Sequence, residues 1–129
     1  MDISIIIFLL GGLFLGWSLG ANDAANVFGT AVGTRMVRFK TAAVVCSIFV
    51  ILGAIISGSG TTETLGKLGA INALPGAFAA CVAAGLSVYL MTKAGLPVST
   101  TQAIVGAIVG WNLYTGSDTN IRVLITILG

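Results

Sequence analysis

The sequence is poor in charge. Six Lys or Arg and four Asp or Glu make up 8% of 129 residues, whereas soluble domains carry about a quarter charged residues. So few charges cannot clothe a water-soluble surface. Histidine is absent, and the two cysteines, Cys46 and Cys81, lie in apolar runs, where small buried thiols are expected. These absences leave no ligand set for zinc, haem or another transition metal and no Cys–His nucleophile. No base and nucleophile stand at usable spacing, so an enzyme is not expected. The net charge of +2 comes without a basic cluster, which gives nucleic acid no footing. Finally, Asp2 follows Met1 and no Lys or Arg precedes Arg35, so the apolar start lacks the basic region of a cleaved secretory signal.

What is present is apolar sequence, 57% hydrophobic residues with a mean hydropathy of +1.08. Nearly all the charges fall between apolar runs rather than inside them, as a bilayer requires, because a charge at its centre costs several kcal/mol. A crossing helix needs about 20 apolar residues for about 30 Å of hydrocarbon. Ile3 to Gly33, Thr41 to Ser57 and Ala73 to Met91 qualify or nearly do, Ala103 to Tyr114 is too short to cross upright, and Ile121 to Gly129 ends while still reading as a helix. An all-α integral membrane bundle is therefore expected, with residues 1–129 forming one transmembrane unit cut at its C-terminal end. Arg35, Arg38, Lys40 and Lys93 fall on one side, and Lys67 beside Glu63 on the other, so the positive-inside rule places the N-terminus outside a multi-pass plasma-membrane protein.

As one straight helix, Ile3 to Gly33 would be about 46 Å long. It must tilt and protrude, or break near Gly20 to Asn26. Broken helices occur at membrane depth where they are buried in protein or line an aqueous cavity. Gly12, Gly16 and Gly20, Gly29 with Gly33, and Gly106 with Gly110 recur every four positions, a pattern expected to pack helices closely. Gly58 to Asn72, rich in Gly, Ser and Thr and holding the sole glutamate, Glu63, reads as an exposed connection with at most a short helical turn.

Two polar constellations interrupt the apolar pattern. In Gly20-Ala21-Asn22-Asp23-Ala24-Ala25-Asn26, Asn22 and Asn26 share a helix face, Asp23 lies about 100° away, and Thr30 extends the face. A carboxylate, two amides and a hydroxyl suit an alkali cation or, with Asp23 protonated, a proton. The bland alternative is hydrogen bonding between helices. In Gly95-Leu96-Pro97-Val98-Ser99-Thr100-Thr101-Gln102-Ala103, Pro97 opposes helix before it, and Ser99 with Gln102 has the form of a capping box. A helix starting there offers unpaired N–H groups, the positive dipole end and the hydroxyls of Ser99, Thr100 and Thr101, the means to hold an oxyanion without fixed cations. An ordinary capped helix start would look the same. Gly95 and Pro97 also permit a re-entrant hairpin whose second limb is Ala103 to Tyr114. Secondary transporters build coupled sites from such a pairing of cation seat and helix N-terminus.

At these residues the sequence resembles the inorganic phosphate transporter (PiT) family. The family signature G-A-N-D-x-A-N on the first transmembrane helix is matched by Gly20 to Asn26, and its P-V-S-T-T element with a following A-I-V-G run by Pro97 to Thr101 and Ala103 to Gly106. The resemblance implies symport of phosphate with sodium or protons and no cofactor beyond the coupling ion. It implies phosphate binding by Ser99, Thr100, Thr101, Asn22, Asp23 and Asn26, and sodium binding by Asp23, Asn22 and Asn26, with Gln102 and Thr30 behind them. Many members have His where this chain has Gln102, which removes a proton role there. Full-length members carry the signature twice, in inverted halves. One copy implies the N-terminal half of an inverted-repeat transporter, completed by a second half or by a homodimer of half-transporters. A sulfate or related oxyanion permease and a non-transporting membrane subunit are the alternatives.

Overall fold

The computed structural model describes residues 2–68 and 74–129. Their regular structure is entirely helical: α1 (Ile3–Gly33), α2 (Phe39–Leu68), α3 (Leu74–Lys93), α4 (Thr100–Thr115) and α5 (Ile121–Leu128). The first three are long and apolar enough to cross a membrane. Polarity runs inside out relative to a soluble protein. Ser18, Asn22 and Asn112 are buried to within 3% of complete, while Leu13, Val27, Ile55 and Ile56 are each at least 70% exposed. That is the arrangement a hydrocarbon solvent selects, since apolar side chains need no shelter from lipid and polar groups do.

Of the two outcomes the sequence leaves open for the first apolar run, the structure has the long helix: the polar stretch Gly20 to Asn26 does not break α1, which is one helix of 31 residues. Its interruption contains a single glycine and no proline, and Ala21, Ala24 and Ala25 are the strongest of helix formers. One expectation is corrected: the stretch from Gly58, read as an exposed connection, is helical as far as Leu68, with residues 69–73 outside the described ones. There the Thr62 and Thr64 hydroxyls donate to the Gly58 and Gly60 carbonyls at 2.9 Å. Glu63 and Lys67 form an i,i+4 pair at 2.6 Å, with glutamate in the favourable N-terminal position.

The core is an α1–α3–α4 sandwich. α1 and α3 run parallel, with Gly11 against Phe78, Leu15 against Gly85, and Asn22 against Thr92. A Cβ on Gly85 would lie 2.9 Å from the Phe14 ring and 3.2 Å from the Leu15 Cα, so glycine there sets how closely the two backbones meet. Trp17 and Tyr89 pack across the same seam, ring centroids 5.7 Å apart. α4 returns antiparallel along α3 until Trp111 covers Gly76. α5 then folds over the Ala80, Val105 and Ile108 cluster through Val123, Leu124 and Ile127.

The glycines read as packing strips behave otherwise. A Cβ on Gly12, Gly16, Gly20, Gly29, Gly33, Gly106 or Gly110 would meet nothing within 4 Å. The close approaches are made instead by Gly11, Gly76 and Gly85, which carry no four-residue period. Gly12 and Gly16 lie on an open face of α1, where a further membrane element could pack, whereas Gly20, Gly29 and Gly33 line a groove toward Phe39 and Ala42 of α2, and Gly106 and Gly110 one between α3 and α4.

Candidate functional site

The site forms where the α3–α4 hairpin turns against α1. At the end of α3 the amide of Gly95 donates to the Thr92 carbonyl and that of Leu96 to the Met91 carbonyl, both at 3.0 Å. This is the Schellman arrangement, and it needs a left-handed residue, which Gly95 supplies at φ 73°. Pro97 then prevents the helix from resuming. Ser99 restarts it as α4, its hydroxyl accepting from the Gln102 amide at 3.4 Å, which is one half of the expected capping box. The Gln102 side chain is exposed.

The turn and α1 are tied together by side chains. Asn22, 3% exposed, donates through Nδ2 to the Val98 carbonyl at 3.1 Å and to Asp23 Oδ1 at 3.2 Å. Its Oδ1 accepts from the Thr92 hydroxyl at 3.3 Å. The Thr100 hydroxyl reaches Asp23 Oδ2 at 3.5 Å, the outer limit of a hydrogen bond. The two constellations are thus adjacent in space although 77 residues separate Asp23 from Thr100. Thr92 had no distinguishing mark in the sequence. It is one of many helical Ser and Thr residues, and only the parallel packing of α3 on α1 brings it to Asn22.

The expected residues do not all converge. Asp23, Asn26, Thr30, Ser99 and Thr101 are exposed, whereas Asn22 is enclosed. Among the described residues, Asn26 and Thr101 have no side-chain hydrogen-bond partner, and neither does the Thr30 hydroxyl. Asn26 and Thr30 lie beyond the hairpin turn, on a stretch of α1 that α3 does not reach. The expected four-residue oxygen cluster is therefore represented within this unit by Asn22 and Asp23, with Asn26 and Thr30 continuing along an open face.

Electrostatically, Asp23 is unbalanced. The one salt bridge among the described residues joins Lys67 to Glu63, and the nearest cation along the turn, Lys93, sits over the Tyr89 ring 5.6 Å from its centroid. The carboxylate instead faces the first turn of α4. There the backbone N–H groups of Thr100 and Thr101 have no partner among the described residues. An open carboxylate beside a free helix N-terminus can hold a cation on one side and an oxyanion on the other.

Several curated proteins are similar to this chain. One named "Putative phosphate permease" from Thermococcus kodakarensis is 37% identical over 125 residues, covering 90% of this chain and 31% of that protein. One of the same description from Pyrococcus abyssi is 39% identical over 127 residues, covering 92% and 31%, and one from Mycobacterium bovis 38% over 114 residues, covering 81% and 21%. The chain thus spans about a third or less of the length of these relatives. No solved structure matches it. Residues 19–129, which include both halves of the site, match the phosphate transporter family, and the chain belongs to that family.

Proposed function

We propose that this chain supplies one wall of a membrane site that carries inorganic phosphate together with a cation, sodium by the family resemblance. The observation that carries the reading is the juxtaposition of Asp23 with the start of α4, without a fixed cation on the carboxylate. An anion seated on the Thr100 and Thr101 N–H groups and hydroxyls would lie within a few ångströms of Asp23. Two unit negative charges 4 Å apart repel by about 4 kcal/mol at an effective dielectric of about 20. A cation between them converts that repulsion into two attractions, so the geometry favours binding both or neither. Coupled symport follows from this electrostatic linkage, and no bond-making chemistry is required of the chain.

The relatives' description as phosphate permeases supports phosphate as the anion. Depth supports transport. Asp23 lies ten residues before the end of α1, about 15 Å along the helix axis, and the turn beyond it carries Arg35, Arg38 and Lys40. With that turn at the inner surface and the N-terminus outside, the site lies about 15 Å deep for an upright α1. It lies about 10 Å deep if α1 tilts to fit about 30 Å of hydrocarbon. The hairpin turn at Val98 shares that depth and acts as a re-entrant tip. The open face of α1 bearing Asp23, Asn26 and Thr30 then awaits a second wall, furnished by an inverted second half or by a second copy of the unit.

Thr100→Val and Thr101→Val in the full-length chain test the anion seat. Each removes a hydroxyl while keeping the shape, and each is expected to raise the half-saturating phosphate concentration about tenfold in proteoliposome uptake, as loss of a hydrogen bond to a charged group would. Unchanged phosphate dependence in both variants would remove the α4 N-terminus from the site. Unlabelled sulfate is expected to compete poorly with labelled phosphate, and equal competition would make the cargo tetrahedral oxyanions in general.

A further inference from the structure

Six hydroxyls within these helices are spent locally. Ser47, Thr62, Thr64, Ser87, Thr115 and Thr126 each donate to the carbonyl four residues back, at 2.8 to 2.9 Å, the usual fate of a hydroxyl on a helix. Thr92 departs from this habit. Its hydroxyl leaves α3 and donates to Asn22 Oδ1, 70 residues away.

That bond anchors the Asn22 amide oxygen, the one end of the amide that the hairpin turn and Asp23 leave unheld. With Oδ1 held by Thr92, both Nδ2 hydrogens are directed to acceptors, the Val98 carbonyl at the hairpin turn and the Asp23 carboxylate. Rotated by half a turn, the amide would set its oxygen against both the Val98 carbonyl and the Asp23 carboxylate, two repulsive contacts in place of two hydrogen bonds. Asn22 is 3% exposed, so water is poorly placed to compensate. The two acceptors thus set the orientation of the amide, and the hydroxyl on α3 satisfies its buried oxygen and tethers it to α3, so that three elements meet at the side chain that spaces Asp23 from the turn into α4.

We infer that Thr92 is a positioning residue of the transport site: through Asn22 it holds the hairpin turn and the Asp23 carboxylate in register, so that the cation seat and the anion seat stay at one separation. This rests on the phosphate-symport reading above. Thr92 touches neither ion. Its loss loosens the geometry of both seats while leaving the groups that contact the ions in place, so both apparent affinities fall together.

The experiment is proteoliposome uptake of labelled phosphate by the full-length chain, with sodium and phosphate each varied, for wild type, Thr92→Val, Thr92→Ser and Ser87→Ala. Thr92→Val keeps the shape and removes the donor. It is expected to raise the half-saturating concentrations of phosphate and sodium together by about tenfold, the scale of one buried hydrogen bond, with the maximal rate within about threefold of wild type. Thr92→Ser restores the donor and is expected to stay within about twofold on both. Ser87→Ala removes a hydroxyl bonded only to its own helix and is expected to change neither, which separates positioning from a general weakening of α3. Should Thr92→Val not be recovered in folded form, Thr92→Ser decides the matter by itself: a tenfold loss despite the retained hydroxyl overturns the assignment, and wild-type affinities support it. Thr92→Val with wild-type affinities, or Ser87→Ala behaving like Thr92→Val, also overturns it while leaving phosphate symport intact. Wild-type protein that takes up no phosphate overturns both.

Discussion

Asp23→Asn in the full-length chain is expected to reduce cation-driven phosphate uptake by on the order of 100-fold, the scale of losing one contact to a charged partner. The substitution keeps the size of the side chain, and the new amide can accept from Asn22 through its oxygen and donate to the Thr100 hydroxyl through its nitrogen, so the local geometry survives. What disappears is the negative charge that draws the coupling cation toward the α4 N-terminus. The phosphate then loses the cation that would hold it there. Folding serves as the internal control. Asp23 is exposed and lacks a salt-bridge partner among the described residues, so the variant should reach the membrane with thermal stability close to wild type. Uptake measured beside the melting temperature of the purified protein checks both halves. Lost uptake with a normal melting temperature identifies a transport residue. A large fall in stability with residual uptake in proportion to folded protein would mark Asp23 as a helix pin, as in a non-transporting subunit.

Gly85→Val should fail in the opposite manner, through folding. A side chain at position 85 must enter a space already held by the Phe14 ring at 2.9 Å and the Leu15 Cα at 3.2 Å. The ring can swing aside, but the Leu15 backbone can move only by separating α1 from α3. Overpacking of this kind costs about 1 to 3 kcal/mol, and the seam it opens is the one that delivers Thr92 to Asn22. Reduced yield of folded protein and a melting temperature lower by several degrees are expected, and the phosphate affinity of whatever folds should fall as well. Gly12→Val, on the open strip of α1, separates the two roles for glycine. It meets nothing within this unit, so a defect as severe as that of Gly85→Val would locate another membrane element against that strip. A wild-type melting temperature for Gly85→Val would contradict the packing described here.

The contrast between those glycines shows how far the sequence could be read. Apolar length located α1, α3 and the short α4, because the bilayer imposes one dominant requirement on composition. Local chemistry located the hairpin turn, because Gly95, Pro97 and Ser99 each act on the backbone beside them. Reading was undecided or failed where competing local terms were close. The polar stretch of α1, left open between a break and a long helix, contains enough alanine to keep the helix intact, and in the stretch of α2 read as a connection Thr62 and Thr64 satisfy their hydroxyls within the helix. Four-residue glycine periods pointed to packing, but period alone does not say which neighbour is near, and Gly11 and Gly85 make their contacts without one. In the site, Asn22, Asp23, Ser99 and Thr100 were legible as polar groups too costly to leave in lipid without a purpose. Thr92 was not, because its bond to Asn22 arises from the parallel docking of α3 on α1, which no local pattern encodes.

In the proposed site, a cation held at Asp23 and an oxyanion held at the α4 N-terminus depend on each other. Equilibrium binding of labelled phosphate to the purified full-length protein at fixed pH, titrated with sodium and compared with choline at the same ionic strength, measures that dependence directly. Phosphate affinity is predicted to rise at least tenfold as sodium saturates, sodium affinity to rise by the same factor with phosphate, and Asp23→Asn to abolish both effects. Phosphate binding of equal strength in sodium and in choline, unchanged by Asp23→Asn, would contradict it.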